Sequence, residues 1–124
     1  MQRPVNILIV DDVFQYRAVL AECLQRSGYR VTGSCRHDQK AIAGEIRKGI
    51  PVVAFISFKT TRLSTLNTFE WIRKQYPHLL QVMTTLYPSA CADREAKRLK
   101  TEGLIVKSID TDKAIKALLQ AILL

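Results

Sequence analysis

Five short strand-like segments, each followed by a stretch with helical spacing, constrain what this chain can fold into. Four are largely apolar and one alternates between apolar and polar residues; they are residues 5–10, 29–35, 52–57, 79–85 and 104–107. Runs this short and apolar are typical of buried strands in a parallel sheet. Strands that alternate with helices predict an α/β domain with a parallel sheet and helices on both of its faces.

Start and stop signals bound the helices between these strands. Gly28 ends the first helix, Asp38 is a suitable N-cap for the second, and Pro77 ends the third. Pro88 and Ser89 start the fourth helix, and Thr111 caps the last one. We predict helices over residues 13–27, 39–49, 69–76, 88–100 and 112–124. No linker, repeat or low-complexity segment interrupts the chain, so we predict one domain spanning residues 1–124.

The chain is basic, with 19 lysine and arginine residues against 11 acidic residues and a net charge of +8. Such a balance fits nucleic acid, an acidic partner or a solubilising surface. The positive residues are spread from Arg3 to Lys116, and the densest stretch, residues 96–103, has no aromatic residues between its charges. We therefore expect a solubilising surface and at most weak, nonspecific binding to nucleic acid.

Composition and cysteine usage favour a cytoplasmic protein with a packed core. Apolar residues make up 48% of the chain, yet no run approaches the roughly 20 residues of a membrane span. The short apolar run near the N-terminus is followed by two acids, unlike a signal peptide. Cys23, Cys35 and Cys91 are odd in number and lack metal-ligand spacing, which favours reduced thiols.

Polar residues follow several of the predicted strands at one edge of the sheet. Asp11 and Asp12 come directly after the first strand. Thr85 ends the fourth strand and Lys107 ends the fifth. With these residues in this order, and with EWIRK and QYPHLLQVMTT around the third helix and fourth strand, the chain resembles the receiver domain of two-component response regulators along essentially its full length. The resemblance implies a flavodoxin-like (βα)5 doubly wound parallel sheet with the strand order 2-1-3-4-5.

The resemblance also implies a site that this sequence has only in part. In receiver domains the third strand ends in an aspartate that accepts a phosphoryl group from a histidine kinase. That aspartate, the acidic pair and a backbone carbonyl hold Mg²⁺. The matching position here is Ser57, in the register set by Pro51 and the apolar block 53–56. An expected proline, glycine, aromatic switch residue and cis proline are likewise replaced by Thr61, Thr65, Leu104 and Ser108.

Charge counting predicts a pocket that needs no metal. A family pocket of three carboxylates and one lysine has a net charge of −2, whereas Asp11, Asp12 and Lys107 sum to −1. Two carboxylates 4 Å apart repel by about 4 kcal/mol at an effective dielectric near 20, so a cation is expected beside them. One interpretation has Lys59 turn inward as a metal replacement, and the alternative leaves it in solvent. We expect no resident cofactor, and weak or absent Mg²⁺ binding.

Ser57 is expected to be a polar filler rather than a nucleophile. It cannot form an acyl phosphate, and a phosphoserine would need a base, for which the nearby candidates are weakly basic carboxylates. Asp11 and Asp12 have an alternative role in stabilising a helix N-terminus, and the Thr85 hydroxyl has one in bonding backbone. We therefore expect no enzymatic activity.

Three functions are compatible with the sequence. The first is a phosphorylation-independent pseudo-receiver that acts as a protein-interaction module in signal transduction. The second is a phosphoaccepting response regulator with unusual chemistry, and the third is a basic nucleic-acid-binding domain. For the first we expect a protein partner or a second copy on the face formed by residues 89–124, through Arg94, Lys97, Arg98, Asp110, Asp112, Lys113 and Lys116.

Overall fold

The computed structural model describes residues 5–107 and 111–123, and within them five strands alternate with five helices. The strands are β1 Asn6–Val10, β2 Arg30–Cys35, β3 Val53–Ser57, β4 Leu80–Thr85 and β5 Gly103–Val106. The helices are α1 Phe14–Arg26, α2 Gln39–Gly49, α3 Thr65–Gln75, α4 Ala90–Arg98 and α5 Thr111–Leu123. None of these helices combines the length and the apolar character needed to cross a lipid bilayer.

The strands form one parallel sheet in the order β2-β1-β3-β4-β5. The predicted flavodoxin-like order is confirmed. Because β1 pairs with both β2 and β3, the direction of winding reverses between β1 and β3. In open α/β sheets, ligands bind in the crevice outside the carboxyl ends of the strands at such a switch point. This edge is where the polar residues singled out from the sequence were expected.

Alternate residues of each central strand face opposite sides of the sheet, which produces two core layers. Leu8 and Val10 of β1 pack with buried residues of α2, α3 and α4. Ile7 and Ile9 pack on the other side with buried residues of α1 and α5. The strongly apolar runs predicted as strands are therefore apolar because helices cover both of their faces.

Helix boundaries follow the local capping chemistry. The Asp38 carboxylate accepts a hydrogen bond from the Ala41 N–H, and the Ser89 hydroxyl accepts one from the Ala92 N–H. The predicted cap at Asp38 is confirmed, whereas Ser89, which was predicted as part of the helix start, is the N-cap of α4. Gly28 follows α1 with a φ of 90°, a conformation that favours glycine.

The third helix begins four residues before the predicted start, at Thr65 rather than at residue 69. Its first turn buries Thr65 and Thr68, whose hydroxyls have hydrogen-bond partners inside the protein. Apolar periodicity does not detect this turn because threonines occupy its inward positions. This first turn of α3 contributes to the site described below, since Thr68 takes part in it.

Candidate functional site

The carboxyl ends of β1, β3, β4 and β5 bring most of the predicted polar residues to one edge of the sheet. Asp11, Ser57 and Thr85 are buried there. Asp12 is half-buried in the loop after β1, and Lys107 follows β5. The arrangement joins residues from the beginning, middle and end of the chain.

Asp11 forms a buried ion pair with Lys107. The Lys107 Nζ donates to Asp11 Oδ2 at 2.7 Å, and the Val13 N–H donates to Asp11 Oδ1 at 3.0 Å. The same ammonium lies 4.4 Å from the centre of the Tyr16 ring, within cation–π range. The charge of Asp11 is therefore balanced within the chain.

Asp12 is also held by groups of the protein. Its Oδ1 accepts the His37 N–H at 2.8 Å, and its Oδ2 accepts from Arg62 Nη1 at 3.1 Å. The Arg36 guanidinium lies 4.0 Å from Oδ1. Burial alone would raise the pKa of Asp12, but the backbone hydrogen bond from His37 and the nearby cationic groups outweigh it and hold the pKa below its ordinary value.

The loop cation beside the acidic pair is Arg62. Within the described residues, Lys59 forms no ion pair. The Arg62 N–H donates to the Lys59 carbonyl and closes a turn. The Arg62 side chain then contacts the Asp12 carboxylate. The positive charge expected beside the acidic pair therefore comes from Arg62, three residues after Lys59. The role of Lys59 as a metal replacement stays a prediction.

Ser57 is part of a hydrogen-bond chain that the sequence analysis missed. Its Oγ lies 2.9 Å from His37 Nε2, and His37 Nδ1 lies 2.7 Å from Thr68 Oγ1. The statement that only carboxylates are available as bases near Ser57 is wrong. His37 lies in the loop after β2, at the same sheet edge, which is the only sequence signal that pointed to it.

The imidazole can bond both hydroxyls in either neutral tautomer, because a hydroxyl donates or accepts. Burial lowers the pKa of His37 below its ordinary value of 6.5, although the carboxylates of Asp12 and Asp11 act in the opposite direction. The lowered pKa favours the neutral form of the His37 ring. Chemically, it is a base within reach of the Ser57 hydroxyl, but Ser57 is only 2% exposed.

Most of the remaining residues singled out from the sequence contact other groups of the protein. The Thr85 hydroxyl donates to the Tyr87 carbonyl at 3.0 Å, which is the backbone-bonding alternative raised for it. The Thr65 hydroxyl donates to the Arg62 carbonyl, and Leu104 packs against the core layer that contains Leu8. Thr61 is exposed in the β3–α3 loop. The expectation of changed geometry at Ser108 lies outside the described residues.

The side chains at this edge do not fit Mg²⁺. Magnesium requires an octahedral set of oxygen ligands, usually with one or two carboxylates. Here the Asp11 and Asp12 carboxylates already contact Lys107 and Arg62, and Ser57 offers a neutral hydroxyl. Among the described residues, no group of three or more histidine, cysteine or acidic side chains is placed to hold a metal ion.

On the expected partner face, the charged residues named for it that the structure describes are exposed: Arg94, Lys97, Arg98, Asp112, Lys113 and Lys116. Arg98 forms ion pairs with Glu70 and Glu95, and Asp112 pairs with Arg26. Pairs this exposed contribute little to stability, so they do not prevent these side chains from meeting a partner. Asp110, also named for this face, lies outside the described residues.

No protein-family model and no curated protein sequence matches the chain. Solved structures do match it. It is similar to the chemotaxis protein CheY4 of Vibrio cholerae, with 20% identity, a TM-score of 0.78, and coverage of 97% of this chain and 100% of that one. For the signal receiver domain of NarL from Mycobacterium tuberculosis, the identity is 17%, the TM-score 0.78 and the coverage 97% of each chain.

The protein NtrX of Brucella abortus contains a similar region within a longer chain. The identity is 24% and the TM-score 0.78, over 97% of this chain but only 26% of NtrX. Similarity at these identities concerns the fold. The chain therefore has the fold of response-regulator receiver domains.

Proposed function

We propose that this chain is a pseudo-receiver, a module that regulates signalling through protein contacts and without phosphorylation. One observation carries the proposal: the groups that a receiver would use for phosphoryl and metal chemistry are bonded to other groups of the chain. Asp11 contacts Lys107, Asp12 contacts Arg62, and Ser57 contacts His37. The receiver fold supports the signalling context.

The energetics of the Asp11–Lys107 pair support this assignment. Removing one partner of a buried ion pair typically costs about 3–5 kcal/mol, because it leaves an uncompensated buried charge. A metal ion that took Asp11 as a ligand would have to repel or displace Lys107. We therefore propose that Mg²⁺ binding is weak or absent and that the chain works without a cofactor.

Incubation with acetyl phosphate and Mg²⁺, followed by intact-mass measurement, tests the proposal. We expect no phosphoryl adduct, because Ser57 cannot form an acyl phosphate. A response-regulator receiver with its phosphoacceptor aspartate, treated in parallel, is the positive control. A stoichiometric adduct that maps to Ser57 would contradict the proposal.

The hydrogen bond between Ser57 and His37 supports a second candidate, a serine phosphoacceptor. In that reaction Ser57 Oγ would attack the phosphorus of a small donor while His37 Nε2 takes the hydroxyl proton. The bond from phosphorus to the leaving group would break, and the leaving group would depart with the electron pair. Burial of Ser57 argues against it. An acid-stable adduct that disappears in both Ser57→Ala and His37→Gln would favour this candidate.

A further inference from the structure

A cavity of about 430 Å³ lies beside the acidic pair and does not include it. Its apolar walls come from Val13, Tyr16, Phe58, Leu86, Tyr87 and Pro88. The loops after β1, β3 and β4 thus each supply part of the lining. This volume is within the range of ligand pockets, roughly 300–1,000 Å³.

The polar lining of the cavity is cationic or hydroxylic. Two lysines, Lys59 and Lys107, line it together with the hydroxyl residues Thr60, Thr61, Thr85 and Ser89, and among residues 5–107 and 111–123 no acidic side chain does. Lys107 is engaged by Asp11, whereas Lys59 has no ion-pair partner within the part of the chain that the structure describes. As far as the described residues show, the cavity therefore combines apolar walls with one lysine that is not ion-paired.

Three exposed apolar residues either line this cavity or lie close in sequence to residues that line it. Tyr87, which lines it, is 68% exposed. Phe14, next to Val13, is 68% exposed, and Leu63, two residues after Thr61, is 60% exposed. Single exposed apolar residues are ordinary, so the one that bears on the cavity is Tyr87, whose ring both lines it and remains open to a larger partner.

We propose that this cavity binds an acidic peptide segment of a partner protein, with an apolar side chain in the cavity and an adjacent carboxylate on Lys59. Charge complementarity favours a negatively charged partner for Lys59, because the neighbouring carboxylates Asp11 and Asp12 are already neutralised by Lys107 and Arg62. The net charge of +8 attracts the same kind of partner from a distance. The inference rests on the proposed function in taking the ligand to be a protein.

The probe is an acetylated, amidated pentapeptide of one phenylalanine flanked on each side by two glutamates. It is titrated into the ¹⁵N-labelled full chain while amide shifts are followed. We expect saturable shifts at residues 58–61 and 85–89, with a Kd below about 1 mM. A peptide with serine in place of phenylalanine and one with lysines in place of the glutamates should bind at least about tenfold more weakly.

Two charge-reversal variants form a matched pair. Lys59→Glu and Lys74→Glu each lower the net charge from +8 to +6, but Lys74 lies in a different groove, lined by residues of α3, the last residue of α4 and the two residues after it. We expect Lys59→Glu to weaken peptide binding about tenfold or more and Lys74→Glu to leave it nearly unchanged. Thr61→Trp, which fills the cavity from an exposed position, should also abolish the shifts.

Several results would overturn the proposal. They are an absence of shifts around the cavity, equal weakening by both charge reversals, and binding that does not depend on the phenylalanine. Shifts caused by benzoate but not by the peptide would identify a small-molecule pocket instead. The outcome is separable from the proposed function, because a phosphoryl adduct on Ser57 would refute that function while leaving peptide binding at the cavity measurable.

Discussion

Two neighbouring regions at the same sheet edge differ in whether their charged side chains are paired within the protein. At the ends of β1 and β3, the Asp11 and Asp12 carboxylates and the Ser57 hydroxyl are all bonded to side chains of the same molecule. In the cavity beside them, Lys59 has no described ion-pair partner and the walls are largely apolar. Position within a fold therefore does not determine the chemistry of a site, since the acidic residues of the first region are paired within the chain and Lys59 of the second has no described ion-pair partner.

Loss of Lys107 should give the largest change in the first region. Lys107→Ala leaves the buried Asp11 carboxylate without its cation, so we expect the free energy of unfolding to fall by about 3–5 kcal/mol. Urea denaturation measures it. Lys116→Ala, at an exposed position on α5, should change the same quantity by less than about 0.5 kcal/mol. Adding Asp11→Asn to Lys107→Ala should recover much of the loss, and a double variant no more stable than the single would show that charge does not hold this pair together.

Loss of the His37 imidazole should have a smaller effect. His37→Ala leaves the Ser57 and Thr68 hydroxyls without their shared partner, and unsatisfied buried groups cost about 1–3 kcal/mol each. We expect a loss of about 2 kcal/mol, since water can reach part of the vacated space. His78→Ala, which removes an exposed histidine, is the control. Equal unfolding energies for the two variants would mean that the Ser57–His37–Thr68 chain does not stabilise the fold.

The smallest effect concerns pH and Asp12. Because the folded-state pKa of Asp12 lies below its ordinary value of 3.8, this carboxylate stabilises the fold above that pH, and the contribution is lost as the pH falls through the folded-state pKa. The wild type should therefore be more stable than Asp12→Asn between pH 5 and 7, and the difference should shrink below about pH 4. Urea denaturation at several pH values measures it. A difference that stays constant down to pH 3 would show that the charge of Asp12 plays no part.

The sheet could be predicted because burial on both faces leaves a direct record in the sequence. Ile7, Leu8, Ile9 and Val10 are all buried, so the β1 segment has little freedom to be anything but apolar. The alternation of strands and helices then restricts the topology. The resemblance added the strand order, which the structure confirms.

The site could be predicted only where its residues end a strand or directly follow one. Asp11, Ser57 and Lys107 belong to this group, and the structure does bring them to one edge. His37, Arg62 and Thr68 come from two loops and a helix start, and their participation depends on how those segments turn. Nothing in the local sequence distinguishes Arg62 from Lys59, since both are cations in the same loop.

The Asp11–Lys107 pair also bears on how the chain folds during synthesis. The two residues are 96 positions apart, so the first strand emerges from a ribosome long before its counter-ion does. Until Lys107 is available, packing of β1 would bury an unpaired carboxylate. A nascent chain that has made only β1 to β4 is therefore penalised at the position where its sheet would begin to form. We therefore expect the sheet to form late and in one concerted step, after the C-terminal part has been made, rather than strand by strand from the N-terminus.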